Sequence, residues 1–164
     1  MDREIQIPSV RVTTTVPHGA DEVFDLLATL RGRERITGHF LRNWERCGPD
    51  RGVGARATAR VMPGGRVDVE LVTARAPARV VERQARANGR RLALATYMLT
   101  PLSDGSTRIG FEYAWLRAPR RDRLMAALVR RRLRRAYRRA LKRLAALLDA
   151  EAARASPAGR VEPR

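Results

Sequence analysis

The chain has 164 residues, of which 44% are hydrophobic, and carries a formal net charge of +17 at pH 7. This length fits one domain, because two domains would each have a marginal core. Cys47 is the only cysteine, which excludes an internal disulfide bond and a cysteine-based zinc cluster. Residues 1–8 lack the apolar run of a signal peptide and no stretch reaches the roughly 18 apolar residues of a membrane span, so we expect a cytoplasmic protein.

The positive charge comes almost entirely from arginine, since Lys142 is the only lysine. A charge this high favours attraction to phosphates, acidic partners or anionic lipid. The arginine and alanine bias is also typical of a GC-rich genome. Charge alone therefore assigns no function to any single arginine.

The first elements are a strand and one or two short helices. The segment 10–16 has the period-two pattern of a half-buried strand, because its apolar or branched residues take every second position, at Val10, Val12, Thr14 and Val16. Residues 20–29 begin with acidic side chains and carry apolar ones on one face, which predicts a short helix. The polar stretch 31–38 fits either a second short helix or a loop.

Six short strands are predicted after residue 40, because turn residues recur at short intervals, at 48–54, 63–65, 76–77, 88–89 and 103–105. Strands joined by such short turns form an antiparallel meander, with one face buried and the other exposed. In the strand near 92–99, Leu92 and Leu94 favour one face whereas Tyr97 and Leu99 favour the other. A β-bulge would reconcile the two patterns.

A helical period begins after Pro119 and continues to about Ala153. Apolar residues recur along it at spacings of three and four, which predicts one long amphipathic helix. Its basic face, the predicted anion-binding surface, consists of Arg131, Arg134, Arg135, Arg138, Arg139 and Lys142. We predict a ligand-binding domain over 1–153 and a disordered basic tail over 154–164, since the tail has nothing to pack.

Several segments together carry a resemblance to a known family. They are the strand-to-helix segment 12–27, the Gly-Val-Gly-Ala run at 52–55, the segments 97–101 and 104–109, and the helical run 140–144. In this order the chain resembles the START-like helix-grip (SRPBCC) superfamily, in particular its polyketide cyclase/dehydrase type. The resemblance implies an α+β helix-grip fold, in which a curved antiparallel sheet of about seven strands wraps around a long C-terminal helix, with one or two short helices after the first strand.

The resemblance also implies an elongated cavity between the sheet and the last helix that holds an apolar or polyketide-like small molecule. Small side chains at Ala57 and Ala59 would leave volume for such a site. The predicted ligand-binding residues are Phe40, Trp44, Ala57, Ala59, Val69, Leu71, Tyr97, Leu99, Phe111, Tyr113, Trp115, Met125 and Val129. Core packing is the alternative interpretation for the aromatic members of this set.

No residue is predicted to be catalytic, and no metal or cofactor is expected. Catalysis would need a buried acid or base, whereas Asp68, Glu70 and Glu112 fall on the exposed face of their strands. The histidines His18 and His39 are isolated and lack the clustered carboxylates of a metal site.

The sequence therefore favours a binding protein with a carrier, sequestration or resistance role. One alternative is a polyketide cyclase or dehydratase that acts by positioning its substrate. Another is a lipid-binding protein that uses the basic helix face on a membrane surface. The basic face could also be merely solvated, and no motif for sequence-specific nucleic-acid binding accompanies it. We expect a monomer or weak dimer.

Overall fold

The computed structural model describes residues 7–86 and 89–155. Seven strands form one antiparallel sheet in the order β1-β7-β6-β5-β4-β3-β2, which confirms the predicted meander and the α+β helix-grip architecture. In chain order the elements are β1 (Val10–Val16), α1 (Ala20–Leu27), α2 (Leu30–Thr37), β2 (Leu41–Cys47), β3 (Arg56–Val61), β4 (Arg66–Arg75), β5 (Arg79–Arg86), β6 (Leu92–Pro101), β7 (Thr107–Arg117), α3 (Arg120–Leu124) and α4 (Ala126–Ala155).

Two short helices follow β1, so the polar stretch at 31–38 is helical. The Thr29 hydroxyl oxygen caps α2 by accepting a hydrogen bond from the Gly32 backbone N–H at 3.0 Å. Glycine is required at 32, because a Cβ there would lie 1.8 Å from the Leu26 carbonyl oxygen. The absence of a side chain at 32 therefore allows α2 to lie directly against the end of α1.

Burial along β6 shows which of its two apolar patterns faces inward. Ala93, Ala95, Tyr97 and Leu99 are buried on the inner face, whereas Leu94 is half-exposed on the other. The pairing of β6 with β7 is irregular between Leu92 and Ala93. The irregularity thus lies at the start of the strand, and Tyr97 points inward.

The predicted long helix is divided in two, because Met125 leaves the helical conformation with φ −102° and ψ 23°. The short α3 precedes this break and the 30-residue α4 follows it. Residues 154 and 155, which we assigned to the tail, still belong to α4, while 156–164 lie outside the described residues. No helix in the described ranges is both long enough and apolar enough to cross a membrane.

Helix α4 packs against β1 and against the two short helices, and the ring of its Tyr137 contacts Phe111 and Tyr113 of β7. The buried residues of α4 are Tyr137, Ala140, Leu141, Leu144 and Leu148. Burial of the apolar stripe begins only near the middle of the helix. Leu133 is half-buried, and Leu128 is exposed. The first two turns of α4 therefore extend past the core.

Candidate functional site

The concave face is built from rows of residues that pair across neighbouring strands. One row runs through Ala57, Val69, Gln84, Ala93 and Trp115. The next row runs through Leu71, Glu82, Ala95, Tyr113 and Val10. A third row runs through Val80, Tyr97, Phe111 and Val12.

These rows bring together most of the residues predicted to bind ligand. Val69, Leu71, Tyr97, Phe111 and Tyr113 are all buried on the concave face. Of the other predicted residues, Ala57, Ala59, Leu99 and Trp44 are also buried, and Phe40 and Trp115 are half-buried. The register of the sheet thus collects in space residues that are far apart in the sequence.

The predicted ligand-binding residues at the junction of α3 and α4 are not enclosed with the others. Met125 is 40% exposed, and Val129 is half-exposed. Helix α4 instead supplies Tyr137, whose ring stacks on Phe111 with centroids 4.0 Å apart and meets Phe40 edge-on at 5.2 Å. Tyr137 lies on the apolar stripe of the helix and was not among the predicted ligand-binding residues.

A buried ion pair lies at the centre of the interior. Arg33 of α2 donates from Nε to Glu82 Oε2 of β5 at 2.6 Å, and both side chains are fully buried. Gln84 donates from its amide nitrogen to Glu82 Oε1 at 2.5 Å and to the Tyr137 hydroxyl at 2.9 Å. These contacts join α2, β5 and α4 in one polar cluster.

The cluster carries hydrogen-bond donors that have no protein partner. Neither Nη1 nor Nη2 of Arg33, nor the Tyr97 hydroxyl, has a hydrogen-bond partner in the described part of the chain. The Arg33 guanidinium lies over the Tyr97 ring, 4.4 Å from its centroid, which is a cation–π contact. Buried donors without partners are rare in proteins, so this group marks the interior as chemically unusual.

The environment keeps the arginine charged and the tyrosines protonated. Burial by itself would lower the pKa of Arg33, but its interactions with Glu82, Tyr97 and Tyr137 together outweigh burial and raise the pKa above its usual range. Burial raises the pKa of Tyr97 and of Tyr137, and raises the pKa of Tyr113 to about 12. At neutral pH the cluster therefore presents a cation and neutral O–H groups.

Asp68, Glu70 and Glu112 were weighed as candidate acids from the sequence, but Glu82, which faces inward from β5, was missed. Asp68 is exposed as predicted, and Glu70 and Glu112 form outward ion pairs with arginines. The signal for Glu82 was the two-residue spacing of Val80, Glu82 and Gln84. Arg33 gave no such signal, since its segment fitted a helix or a loop.

Protein side chains fill the interior beside the small residues of β3. Ala57 and Ala59 expose only 4% and 1% of their surface, and Tyr97 exposes none. Tyr97 therefore borders no space that a water molecule could enter, and the two alanines border very little. The expected open cavity at these alanines is not confirmed in this conformation.

A basic groove of about 810 Å³ runs between edge strand β1 and α4. Val12, Thr13 and Thr14 form its strand side. The helix side contains all the predicted anion-binding residues together with Arg130, Ala127 and Leu141. No acidic residue of the described chain lines the groove, so its field is uniformly positive.

The two histidines form hydrogen bonds in different parts of the structure. His18 is buried and hydrogen-bonds to Glu22 at 3.2 Å and to Asp149 at 2.7 Å, which ties α1 to the end of α4. The His39 ring contacts the Ala136 carbonyl at 2.9 Å. Across residues 7–86 and 89–155, no group of three or more histidine, cysteine or acidic side chains is placed to hold a metal ion.

Comparisons with known proteins agree with this architecture. Residues 8–149 match the family model described as polyketide cyclase / dehydrase and lipid transport. A search of curated proteins found no match.

Solved structures from several organisms share the fold. Protein MLL2253 from Mesorhizobium loti is 20% identical and aligns with a TM-score of 0.64 over 87% of this chain and 98% of its own. Protein jhp0584 from Helicobacter pylori is 14% identical, with a TM-score of 0.71 over 89% and 90% of the two chains. A truncated norcoclaurine synthase from Thalictrum flavum is 14% identical, with a TM-score of 0.67 over 86% and 92%.

Proposed function

The chain belongs to the polyketide cyclase / dehydrase and lipid transport family, and on that premise we propose that it binds an apolar small molecule with an oxygen substituent between the sheet and α4. The apolar body of the ligand contacts the concave face of the sheet. The oxygen accepts hydrogen bonds from the Arg33 amino groups and the Tyr97 hydroxyl. The unpaired donors of these two residues are the observation that carries the proposal.

The energetics favour a ligand of this kind. A buried donor without a partner costs about 1–3 kcal/mol, and more when it is charged. A carbonyl or hydroxyl oxygen placed against these donors offsets that cost, whereas a pure hydrocarbon leaves it in place. The donors thus select for oxygen within a site that is otherwise apolar.

Ligand entry requires side chains to move, because the interior is filled. Tyr137 and Phe40 are the rings that the ligand displaces, since one belongs to α4 and the other to the connection between α2 and β2. Tyr97 and Phe111 stay in place because the sheet pairs them with each other. The open conformation, with these two rings displaced, is then a minor state of the free protein that ligand binding makes dominant.

A protein that binds this ligand without catalysing a reaction on it would serve a carrier, sequestration or resistance role. Catalysis as a polyketide cyclase or dehydratase is the second candidate, because Arg33 and Tyr97 are placed to stabilise negative charge on an enolate oxygen. Binding is favoured over catalysis because both oxygens of Glu82 accept hydrogen bonds, from Arg33 and Gln84, and the carboxylate is thus engaged rather than free to take a proton.

The basic groove provides a separate contact with anions. We propose that it binds a polyanion or an anionic surface, in a cytoplasmic protein that is a monomer or weak dimer. Reversing Arg131, Arg134, Arg138 and Lys142 to glutamate should abolish retention on heparin and leave affinity for an apolar ligand within a few-fold, because only the first interaction depends on counterion release.

An apolar fluorescent probe such as N-phenyl-1-naphthylamine tests the interior site. Ala57→Trp should weaken probe binding by about tenfold or more, because the indole projects across the row that contains Val69 and Gln84. The matched control is Ala153→Trp, at an exposed position of α4. Since the first variant adds bulk to a filled core, Phe40→Ala provides a second test: removal of the displaced ring should strengthen binding. Unchanged probe affinity in both interior variants would place the site elsewhere.

A further inference from the structure

Large apolar side chains are exposed where α3 joins α4. Leu124 is 88% exposed, Met125 40% and Leu128 39%. Single exposed apolar residues are ordinary on protein surfaces, but three within five consecutive positions form a patch. We call these three residues the apolar cap.

The apolar cap is continuous with the basic surface of α4. Arg131 and Arg135 follow Leu128 by three and seven positions, and Lys142 follows it by fourteen, so all of them share one helix face. This face extends about 21 Å along the helix axis from Leu128. The apolar cap at the junction of α3 and α4 therefore continues, through Leu128, into the basic face of α4.

Acidic side chains are absent from this surface. The sequence contains no aspartate or glutamate from residue 123 to residue 148. Asp122, just before that stretch, is buried and forms an ion pair with Arg91. No acidic side chain on this stretch of α4 therefore neutralises its basic residues.

We propose that this face docks on the surface of a lipid bilayer that contains anionic lipid. The apolar cap enters the boundary between headgroups and acyl chains, and the basic residues contact lipid phosphates. The proposal rests on the anion contact proposed above for the basic groove and adds the apolar cap to it. A soluble polyanion would use the arginines but would gain nothing from Leu124, Met125 or Leu128.

Vesicle flotation tests the docking face. The protein should float with vesicles of phosphatidylcholine mixed with phosphatidylglycerol and remain behind with phosphatidylcholine alone. The triple variant Leu124→Ser, Met125→Ser and Leu128→Ser should bind the mixed vesicles about tenfold more weakly or worse, because it loses the buried apolar area. A matched control replaces Val53 and Met98, which are exposed apolar residues elsewhere, with serine and should bind like the parent protein.

A fluorescent label identifies the face that enters the bilayer. Cys47 is the only thiol and is exposed, so Cys47→Ser combined with Leu128→Cys allows an environment-sensitive dye to be attached at one position. The emission should shift to the blue on mixed vesicles, and the same dye at Met98→Cys should not respond. A shift at Met98 instead would overturn the proposal.

Heparin binding separates this proposal from the anion contact on which it rests. Serine at the apolar cap should leave heparin retention unchanged while vesicle binding falls. If the cap variant floats like the parent protein, the surface is a polyanion site and bilayer docking is wrong. If neither heparin nor mixed vesicles bind the parent protein, the anion contact itself is wrong.

Discussion

The buried ion pair of Arg33 and Glu82 makes a quantitative prediction about stability. Its atoms are 2.6 Å apart and neither side chain is exposed, so removing one partner leaves a charge buried without compensation. Arg33→Met leaves the Glu82 carboxylate with the Gln84 amide as its one remaining side-chain donor. Loss of one member of such a pair costs about 3–5 kcal/mol in the free energy of unfolding.

The double variant separates the cost of a stranded charge from the value of the pair. Arg33→Met combined with Glu82→Gln removes both charges of the pair, so it should recover to within about 2 kcal/mol of the parent protein. The single variant alone should melt roughly 6–20 °C lower, given about 2–4 °C per kcal/mol for a domain of this size.

Urea unfolding followed by circular dichroism measures these differences. The exposed ion pair of Arg11 and Glu112, with atoms 3.0 Å apart, is the matched control, and Arg11→Met should cost no more than about 1 kcal/mol. The reasoning fails if Arg33→Met costs as little as Arg11→Met. It also fails if the double variant loses as much free energy of unfolding as Arg33→Met and Glu82→Gln lose together when made singly, because the two residues would then act independently.

Three further predictions concern the scaffold. Gly32→Ala should destabilise the protein by at least about 2 kcal/mol in urea unfolding, although alanine normally favours a helix, because its Cβ would meet a backbone oxygen at 1.8 Å; a gain in stability would contradict the packing of α1 against α2. Leu144→Asp should unfold the domain while Leu133→Asp is milder by circular dichroism, since only Leu144 is fully buried; equal melting temperatures would show that the stripe does not face the sheet. Burial and two nearby arginines lower the pKa of His39, so the free energy of unfolding should fall as pH drops below the usual histidine range, and His39→Gln should flatten that dependence. An unchanged pH slope in this variant would remove His39 as its source.

Much of the fold could be predicted because its signals are local. Alternation of side chains and recurring turn residues predicted the meander, and Gly105 adopts φ 82° in the turn between β6 and β7. The three-and-four spacing predicted α4. The break at Met125 carries no proline or glycine, so periodicity alone did not reveal it.

The candidate site was predicted only in part, because its chemistry depends on contacts between distant segments. Strand alternation placed Phe111 inward but left Tyr97 open, because Leu92 and Leu94 favour the opposite face of β6. The partnership of Arg33 with Glu82 spans 49 positions, and no sequence pattern links them. Strand alternation could have revealed Glu82 beside Val80, but a carboxylate in an apolar strand is easily interpreted as exposed when its arginine partner is not known.

The volume of the interior could not be predicted from side-chain size. Ala57 and Ala59 suggested open space, yet both are covered. Tyr137 and Phe40 project into the concave face from other elements. How far they project depends on how closely α4 approaches the sheet, which the sequence pattern does not encode.

A comparison of anthraquinone with anthracene tests the central claim most directly. The two molecules have nearly the same shape, but only the quinone offers carbonyl oxygens to the unpaired donors of Arg33 and Tyr97. Competition against a bound apolar probe should show the quinone binding at least about tenfold more tightly, since a hydrogen bond to a charged group contributes about 1.5–3 kcal/mol. This preference should shrink in the folded double variant Arg33→Met and Glu82→Gln. Equal affinity for the two molecules, or a preference that persists unchanged in the double variant, would contradict the assignment of the polar cluster as the ligand anchor.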